Sequence, residues 1–297
     1  MRRNEMDRVL EVKNLNKSYS RFALKDVSFS LPEGCITGFI GINGAGKTTT
    51  LRSILGLVKD VTGSIRFFGM DMKENEKQIK NRIGVVLDSD CFYDDLSLEE
   101  MKKILAPAYS SWCDQDYRSY LERFSLDPKE KIKNLSRGMK IKYSLALALS
   151  HKPELLIMDE PTSGLDPLFR SQLLELLRDY MEQGGKGVFF STHITSDLDK
   201  IADVLIMIDQ GHIVFQEDKD ELLDRYRMVK GSKDDLNEEV RSLLLNIHET
   251  DFGFTGMTCH IPEIRNLLPN VLLERPTVED IMLSHTKGGI KNAAEFS

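Results

Sequence analysis

The sequence predicts an α/β fold with a mostly parallel core sheet, on the strength of three observations. Residues 35–40 form an apolar run of strand length that leads into a glycine-rich turn and then a helical pattern. Further apolar runs alternate with helical patterns, at residues 155–158, 187–191 and 204–208. Residues 9–15 and 27–31 instead alternate apolar and polar side chains, which indicates an antiparallel β layer beside the core sheet.

The other elements of the first 226 residues follow from similar patterns. Residues 63–69, with a glycine at each end, predict one more strand of the antiparallel layer, and residues 83–87 predict another apolar strand. From about residue 89 to residue 150 the chain becomes helical and polar, which predicts a helical subdomain. A capping box at Ser97 begins a helix there, and Pro107 ends it.

Aromatic side chains are concentrated in this helical subdomain. Their spacing favours a local helical core, and a groove that docks a partner is the alternative. The side chains are those of Tyr109, Trp112, Tyr117, Tyr120 and Phe124.

Beyond residue 226 the pattern changes, which predicts a small C-terminal α/β appendage over residues 227–297. Residues 231–235 resemble a linker, a helix is expected around 238–245, and short strands are expected near 252–258 and 271–273. Thr277 can cap a last helix that carries Val278, Ile281 and Met282 on one face. This appendage could serve as a brace between two copies of the chain, as a regulatory ligand-binding domain or as a plain structural extension. The brace is the favoured role.

Composition narrows the class of protein. A net charge of −7 argues against broad nucleic-acid binding, which relies on a basic face. The four cysteines include no C-x-x-C pair, which favours free thiols in a reducing cytosol. The charged first eight residues contain no apolar signal region, and no apolar run approaches the roughly 18–20 residues that cross a bilayer. If the protein serves a membrane, another chain is therefore expected to cross it.

The glycine-rich turn predicts a P-loop NTPase, because residues 41–48 fit G-x-x-x-x-G-K-[ST] between a strand and a helix. Backbone N–H groups of such a loop can approach phosphate oxygens, and the helix N-terminus adds partial positive charge. Lys47 is expected to reach the β- and γ-phosphates, and the Thr48 hydroxyl is expected to bind Mg²⁺. The predicted nucleotide-binding residues of this loop are Gly41, Ile42, Asn43, Gly44, Ala45, Gly46, Lys47, Thr48 and Thr49.

Two adjacent carboxylates end the apolar run at residues 155–158. Asp159 is placed to orient Mg²⁺, directly or through water, and Glu160 is placed to act as the base for the attacking water. Structural carboxylates at a strand end are the alternative, but the phosphate loop favours the catalytic interpretation.

With these motifs in the same order, residues 9–220 resemble the ATP-binding-cassette (ABC) ATPases. Leu135-Ser-Arg-Gly-Met139 is similar to the family signature L-S-G-G-Q, which in that family faces the γ-phosphate held by a second subunit. The resemblance implies that Ser136 and Gly138 contact nucleotide, that Asp166 belongs to the loop that crosses the dimer, and that Tyr19 stacks on adenine. It also implies that His193 contacts the γ-phosphate and positions the attacking water.

The chain departs from the family pattern at three positions. Arg137 replaces the first glycine of the signature and adds positive charge near the nucleotide or a neighbouring subunit. Met139 replaces its glutamine. Asp88 stands where the family usually places a glutamine that contacts magnesium and the permease, so we expect Asp88 to sense or bind the metal directly.

The resemblance implies an ATPase subunit that uses ATP and Mg²⁺ and pairs head to tail with itself or with a related ABC ATPase. Its expected partner is a separately encoded integral membrane permease, at the inner face of the cell membrane on the cytoplasmic side. Residues 135–167 most resemble ATPases of bacterial exporters of drugs or peptide antibiotics. The alternative is a soluble ABC ATPase that acts on nucleic acid or the ribosome; the chain lacks the long coiled coil or the second cassette of such proteins, so no nucleic acid is expected.

Overall fold

The computed structural model describes residues 8–87 and 92–285. Within them the strands are β1 Arg8–Ser18, β2 Ala23–Pro32, β3 Ile36–Ile40, β4 Thr62–Phe67, β5 Met70–Asp71, β6 Ile83–Val86, β7 Leu155–Asp159, β8 Gly187–Thr192, β9 Val204–Asp209, β10 His212–Asp218, β11 Arg227–Gly231, β12 Leu245–Thr250, β13 Gly253–Thr258 and β14 Leu272–Glu274. The α-helices are α1 Lys47–Ile54, α2 Glu76–Arg82, α3 Leu98–Leu105, α4 Asp114–Arg123, α5 Arg137–Leu149, α6 Pro167–Glu182, α7 Thr195–Ile201, α8 Lys219–Arg225, α9 Glu238–Ser242, α10 Ile261–Leu267 and α11 Val278–His285.

The core sheet has the order β10-β9-β3-β8-β7-β6, and only β10 runs antiparallel to its neighbour. β3, β7, β8 and β9 are buried at every position, as expected for parallel strands covered on both faces. The predicted mostly parallel sheet is therefore confirmed. Because β3, β8 and β7 are adjacent and parallel, the loops that follow them meet at one edge of the sheet.

The antiparallel layer has the order β2-β1-β4-β5 and is also confirmed. Phe29 of this layer packs against Phe39 and Phe189 of the core sheet, with ring centroids 5.9 and 5.6 Å away, and the last two rings lie 5.3 Å from each other. These three rings fill the space between the two sheets, so the layer and the P-loop strand share one core.

The helical subdomain contains α3, α4 and α5. Ser97 forms the predicted capping box with Glu100, and α3 ends just before Pro107. The hydroxyls of Tyr117 and Tyr143 both donate to the Leu98 carbonyl, at 3.2 and 2.8 Å, which ties the helices together.

The aromatic side chains of the subdomain divide between two environments. Tyr117 and Phe124 are buried in the core, as the favoured interpretation expects. Tyr109 and Trp112 line an apolar groove, as the alternative expects. The cluster therefore serves partly as core and partly as the wall of a groove.

The C-terminal region forms a third sheet, in the order β12-β13-β11-β14, around a small core of its own. The segment interpreted as a linker is instead the end of β11 and a 3-10 turn capped by Ser232. Sequence alone misses β11 because its pairing with β13 and β14, far along the chain, decides its conformation. The division of the chain into residues 1–226 and 227–297 stays a prediction.

The last helix, α11, lies against the first 226 residues. Val278, Ile281 and Met282 are buried on one face, as predicted, and belong to the same hydrophobic cluster as the core sheet. The Val278 N–H donates to Asp199 at 3.1 Å. In residues 8–87 and 92–285, no helix combines the length and apolar character that crossing a membrane requires.

Candidate nucleotide site

The phosphate loop joins β3 to α1 and depends on glycine at specific positions. A Cβ on Gly41 would lie 2.4 Å from the carbonyl oxygen of Ile208, so no larger residue fits without moving the backbone. Gly44 and Gly46 have φ angles of +83° and +119°, which side chains strongly disfavour. Gly46 precedes α1 without a side-chain cap, which leaves the N–H groups of the first turn available to an anion.

Lys47 lies folded against this loop. Its side chain is only 6% exposed, and its ammonium donates to the Gly41 carbonyl at 2.7 Å. The same nitrogen lies 3.4 Å from Oε1 of Glu160. The cation is thus held between the phosphate loop and the end of β7, where an incoming phosphate can compete for its three N–H donors.

The carboxylates at the end of β7 point to different partners. Asp159 is buried, and its Oδ1 accepts a 2.6 Å hydrogen bond from the Ser191 hydroxyl on the adjacent β8. Glu160 follows with a φ of +49° and donates its N–H to the Ser191 carbonyl at 3.0 Å. This turn in the backbone directs the Asp159 side chain to Ser191 and the Glu160 side chain to Lys47 and His193.

Glu160 and His193 form a close pair. Nδ1 of His193 lies 2.7 Å from Oε2 of Glu160, and the His193 N–H donates to the same oxygen at 3.2 Å. With Lys47 on its other oxygen, the carboxylate is fixed from two sides. Such a carboxylate can accept a proton from a water in the cleft, and the half-exposed imidazole can orient that water.

The cleft over the phosphate loop has a volume of about 710 Å³. Its lining includes predicted residues from the loop, together with Glu160 and His193; the loop members are Asn43, Gly44, Gly46, Lys47, Thr48 and Thr49. Gly41, Ile42 and Ala45 do not line the cleft: Gly41 and Ala45 are buried, Ile42 is exposed, and Ala45 donates its N–H to the Ile42 carbonyl.

Near Tyr19, the aromatic side chain that lines the cleft is that of Phe22. Tyr19 is 49% exposed, interacts with the Lys17 ammonium and does not line the cleft. Phe22 and Arg21 do line it, and Phe22 packs so closely on Gly46 that a Cβ there would lie 2.8 Å from its ring. Sequence reasoning missed Phe22, although its position three residues from Tyr19 in a polar turn could have suggested it. Stacking of Tyr19 on adenine stays a prediction.

The residues assigned to a second subunit lie apart from the cleft of their own chain. Ser136 caps α5 by accepting from the Met139 N–H, and Gly138 follows in its first turn. Asp166 caps α6 by accepting from the Phe169 N–H at 2.9 Å. None of the three lines the cleft of its own chain, and their contacts with a nucleotide stay predictions. Asp88 lies outside the described residues, and its metal role stays a prediction.

The donor set fits Mg²⁺. This ion prefers oxygen ligands and commonly takes one or two carboxylates together with substrate phosphates. The Thr48 hydroxyl lines the cleft, and the Asp159 carboxylate is fixed by Ser191 at the adjacent strand end. In the described part of the chain, no three His, Cys, Asp or Glu side chains converge into a metal cage. A magnesium ion here would therefore share its ligands with the phosphates of the nucleotide.

Comparison with known proteins decides the family. The family model described as ABC transporter matches residues 24–163. The bacitracin transport ATP-binding protein BcrA of Enterococcus faecalis is 34% identical over 263 residues, which cover 86% of this chain and 84% of BcrA. This chain belongs to the ABC transporter ATP-binding proteins.

Further relatives agree with this assignment. The lantibiotic transport ATP-binding protein SrtF of Streptococcus pyogenes is 32% identical to this ABC ATPase over 215 residues, covering 71% of this chain and 92% of SrtF. A solved ATP-binding subunit of an ABC transporter superposes with a TM-score of 0.67 at 29% identity, covering 73% of this chain and 92% of its own. The predictions of a P-loop NTPase fold and of an ATPase that drives transport are confirmed.

Proposed function

We propose that this ABC ATPase drives a separately encoded membrane permease that exports an antimicrobial peptide, a drug or a lipid-like compound. The relatives named for bacitracin and lantibiotic transport support this class of cargo. In this role the protein works on the cytoplasmic side of the cell membrane, attached through its permease. Whether it pairs with itself or with a related ATPase, two chains close head to tail on two nucleotides.

The observation that carries the proposal is the convergence of Lys47, Glu160 and His193 on one cleft at the carboxyl edge of the core sheet. When ATP enters, Lys47 exchanges its contact with the Gly41 carbonyl for the terminal phosphates. Glu160 takes a proton from the attacking water, and His193 holds that water and the γ-phosphate in line. A magnesium ion held by Thr48 and Asp159 would neutralise phosphate charge.

Dimer closure is proposed because three of the predicted nucleotide contacts, those of Ser136, Gly138 and Asp166, are absent from the cleft of their own chain. Ser136 and Gly138 begin α5, where a helix N-terminus offers N–H donors to an anion. They lie outside their own cleft, so the γ-phosphate they bind would be the one held by the second chain. A ligand that binds the closed pair better than the open one shifts the equilibrium towards closure, and hydrolysis reverses the shift.

Permease attachment is proposed at the apolar groove lined by Leu57, Leu87, Phe92, Tyr109 and Trp112, which has a volume of about 290 Å³. Leu87 and Phe92 are the described residues on either side of residues 88–91. The family resemblance assigns position 88 to permease contact, and the groove is lined by the described residues on both sides of that position. We propose that a cytoplasmic segment of the permease with apolar side chains occupies it.

The proposal is tested by Glu160→Gln. Loss of a general base typically lowers turnover by about 10²–10⁴-fold. The variant should therefore retain ATP and accumulate as a dimer in ATP and Mg²⁺, measured by size-exclusion chromatography with light scattering. Glu160→Gln combined with Lys47→Ala is the matched control and should stay monomeric. Near-normal turnover, or a monomer at every ATP concentration, would contradict the proposal.

A further inference from the structure

The Arg137 side chain occupies an unexpected place in the cleft. Arg137 is the first residue of α5, and its neighbours Ser136 and Gly138 do not line the cleft of their own chain. Arg137 does line it, together with Lys47, Glu160 and His193. Of these three consecutive residues, Arg137 therefore contributes to the cleft of its own chain and its two neighbours do not.

The path of the side chain runs across the loop between Glu160 and α6. A Cβ on Gly164 would lie 3.3 Å from Nη1 of Arg137 and 3.8 Å from its Cζ, so the guanidinium rests directly against this glycine. Gly164 has a φ of +72° as well, which a side chain would disfavour. Ser163, the residue before it, also lines the cleft. The Arg137 side chain and this loop therefore contact each other and line the same cleft.

Charge around the cleft fits a highly anionic ligand. Among the residues that the structure describes, Arg21, Lys47 and Arg137 contribute three cationic side chains to the lining, and Glu160 contributes one carboxylate. At the first position of a helix, an arginine also meets the positive end of the helix dipole, and no acidic residue lies in that first turn of α5. A cation at the positive end of a helix dipole is locally unfavourable. Such an arrangement is expected at a functional site that binds an anion.

We infer that Arg137 binds the terminal phosphate of the nucleotide held by its own chain. The inference rests on the proposed nucleotide site and adds a contact in cis to the contacts proposed from the second chain. Arginine suits this role because its planar guanidinium can donate two parallel hydrogen bonds to one phosphate group. As a result, a single chain distinguishes ATP from ADP before it meets its partner.

The test compares two nucleotides on the full chain, at a concentration where light scattering shows a monomer. The probes are ADP and the ATP analogue with an imido group between the β- and γ-phosphates, titrated calorimetrically with Mg²⁺. Arg137→Gln keeps the length of the side chain but removes the charge. Since a hydrogen bond to a charged group is worth about 10–100-fold in affinity, the analogue should bind that much more weakly, while ADP affinity changes by less than about twofold.

Arg118→Gln is the matched control, because Arg118 is an exposed arginine of the same subdomain that does not line the cleft. It should leave both affinities unchanged, and Arg137→Lys should restore part of the loss. Equal weakening of both nucleotides, or no weakening in the monomer, would overturn the assignment in cis. If the unmodified chain bound neither nucleotide, or if Lys47→Ala had no effect, the nucleotide site itself would be wrong.

Discussion

The phosphate loop can adopt its conformation because residue 41 is a glycine and has no side chain. The 2.4 Å separation between a Cβ on Gly41 and the Ile208 carbonyl involves backbone on both sides, so neither atom can rotate away. We expect Gly41→Ala to lower the free energy of unfolding by about 1–3 kcal/mol, as overpacking does. ATP affinity should fall with it, because the backbone must move where it approaches the phosphates. Urea denaturation and nucleotide titration measure the two effects.

Gly138→Ala is the control for Gly41→Ala. Its Cβ would lie 3.5 Å from Leu165, an ordinary van der Waals distance, and the position is helical. We expect a change in the free energy of unfolding within about 0.5 kcal/mol. Equal destabilisation by the two substitutions would show that the contact with Ile208 does not constrain the loop.

The contact between Glu160 and His193 could be anticipated from sequence, whereas the positions of neighbouring side chains could not. Glu160 and His193 each follow an apolar strand, and adjacent parallel strands place their following loops together, so the 2.7 Å contact agrees with the pattern. The hydrogen bond from Ser191 to Asp159 depends on the strand register, which sequence periodicity does not give. The position of Phe22 on Gly46 depends on the shape of a turn, which is equally hidden in sequence.

At the scale of the elements, the apolar groove proposed to dock the permease gives a prediction about transport. Leu57 lies on its lining with 55% of its surface exposed, so a charge there can be tolerated by the fold. We expect Leu57→Asp to leave ATP binding by the isolated chain unchanged. It should abolish co-purification with the permease, because a carboxylate cannot be buried there without a partner. Pull-down of co-expressed permease measures the effect.

Val214→Asp serves as the control for the groove. Val214 is 39% exposed on β10 and does not line the groove. Permease should still co-purify with this variant. If the Leu57→Asp variant still co-purified with the permease, the permease would have to dock on a different surface.

The sequence predicts the elements of the first 226 residues better than those of the C-terminal region, for a physical reason. Buried parallel strands such as β7 are continuous apolar runs, whose pattern is visible without knowing their partners. By contrast β11 is half-buried and owes its conformation to pairing with residues 23 or more positions away, from Gly231 with Phe254 to Arg227 with Thr258. The apolar face of α11 was visible, but nothing in sequence indicated which surface it covers.

At the scale of the whole molecule, α11 joins the end of the described chain to the ATPase core. The helix packs on α7, which begins two residues after His193, and its N-terminal Val278 binds Asp199 of that same helix. Ile281 is fully buried within the cluster that includes the core sheet. The C-terminal sheet has its own small core, yet its last helix contributes to the core of the nucleotide-binding region.

We therefore expect Ile281→Ala to destabilise the nucleotide-binding region and not the C-terminal sheet alone. Truncating a buried isoleucine costs about 2–5 kcal/mol, because the cavity it leaves fills only partly. Urea unfolding followed by circular dichroism and by loss of bound ATP should shift together to lower urea. Leu283→Ala, at a position 43% exposed on the same helix, should cost less than about 1 kcal/mol. If Ile281→Ala instead produced an early transition that left ATP binding intact, α11 would belong energetically to a separate appendage, and truncation at residue 226 would leave a stable ATPase.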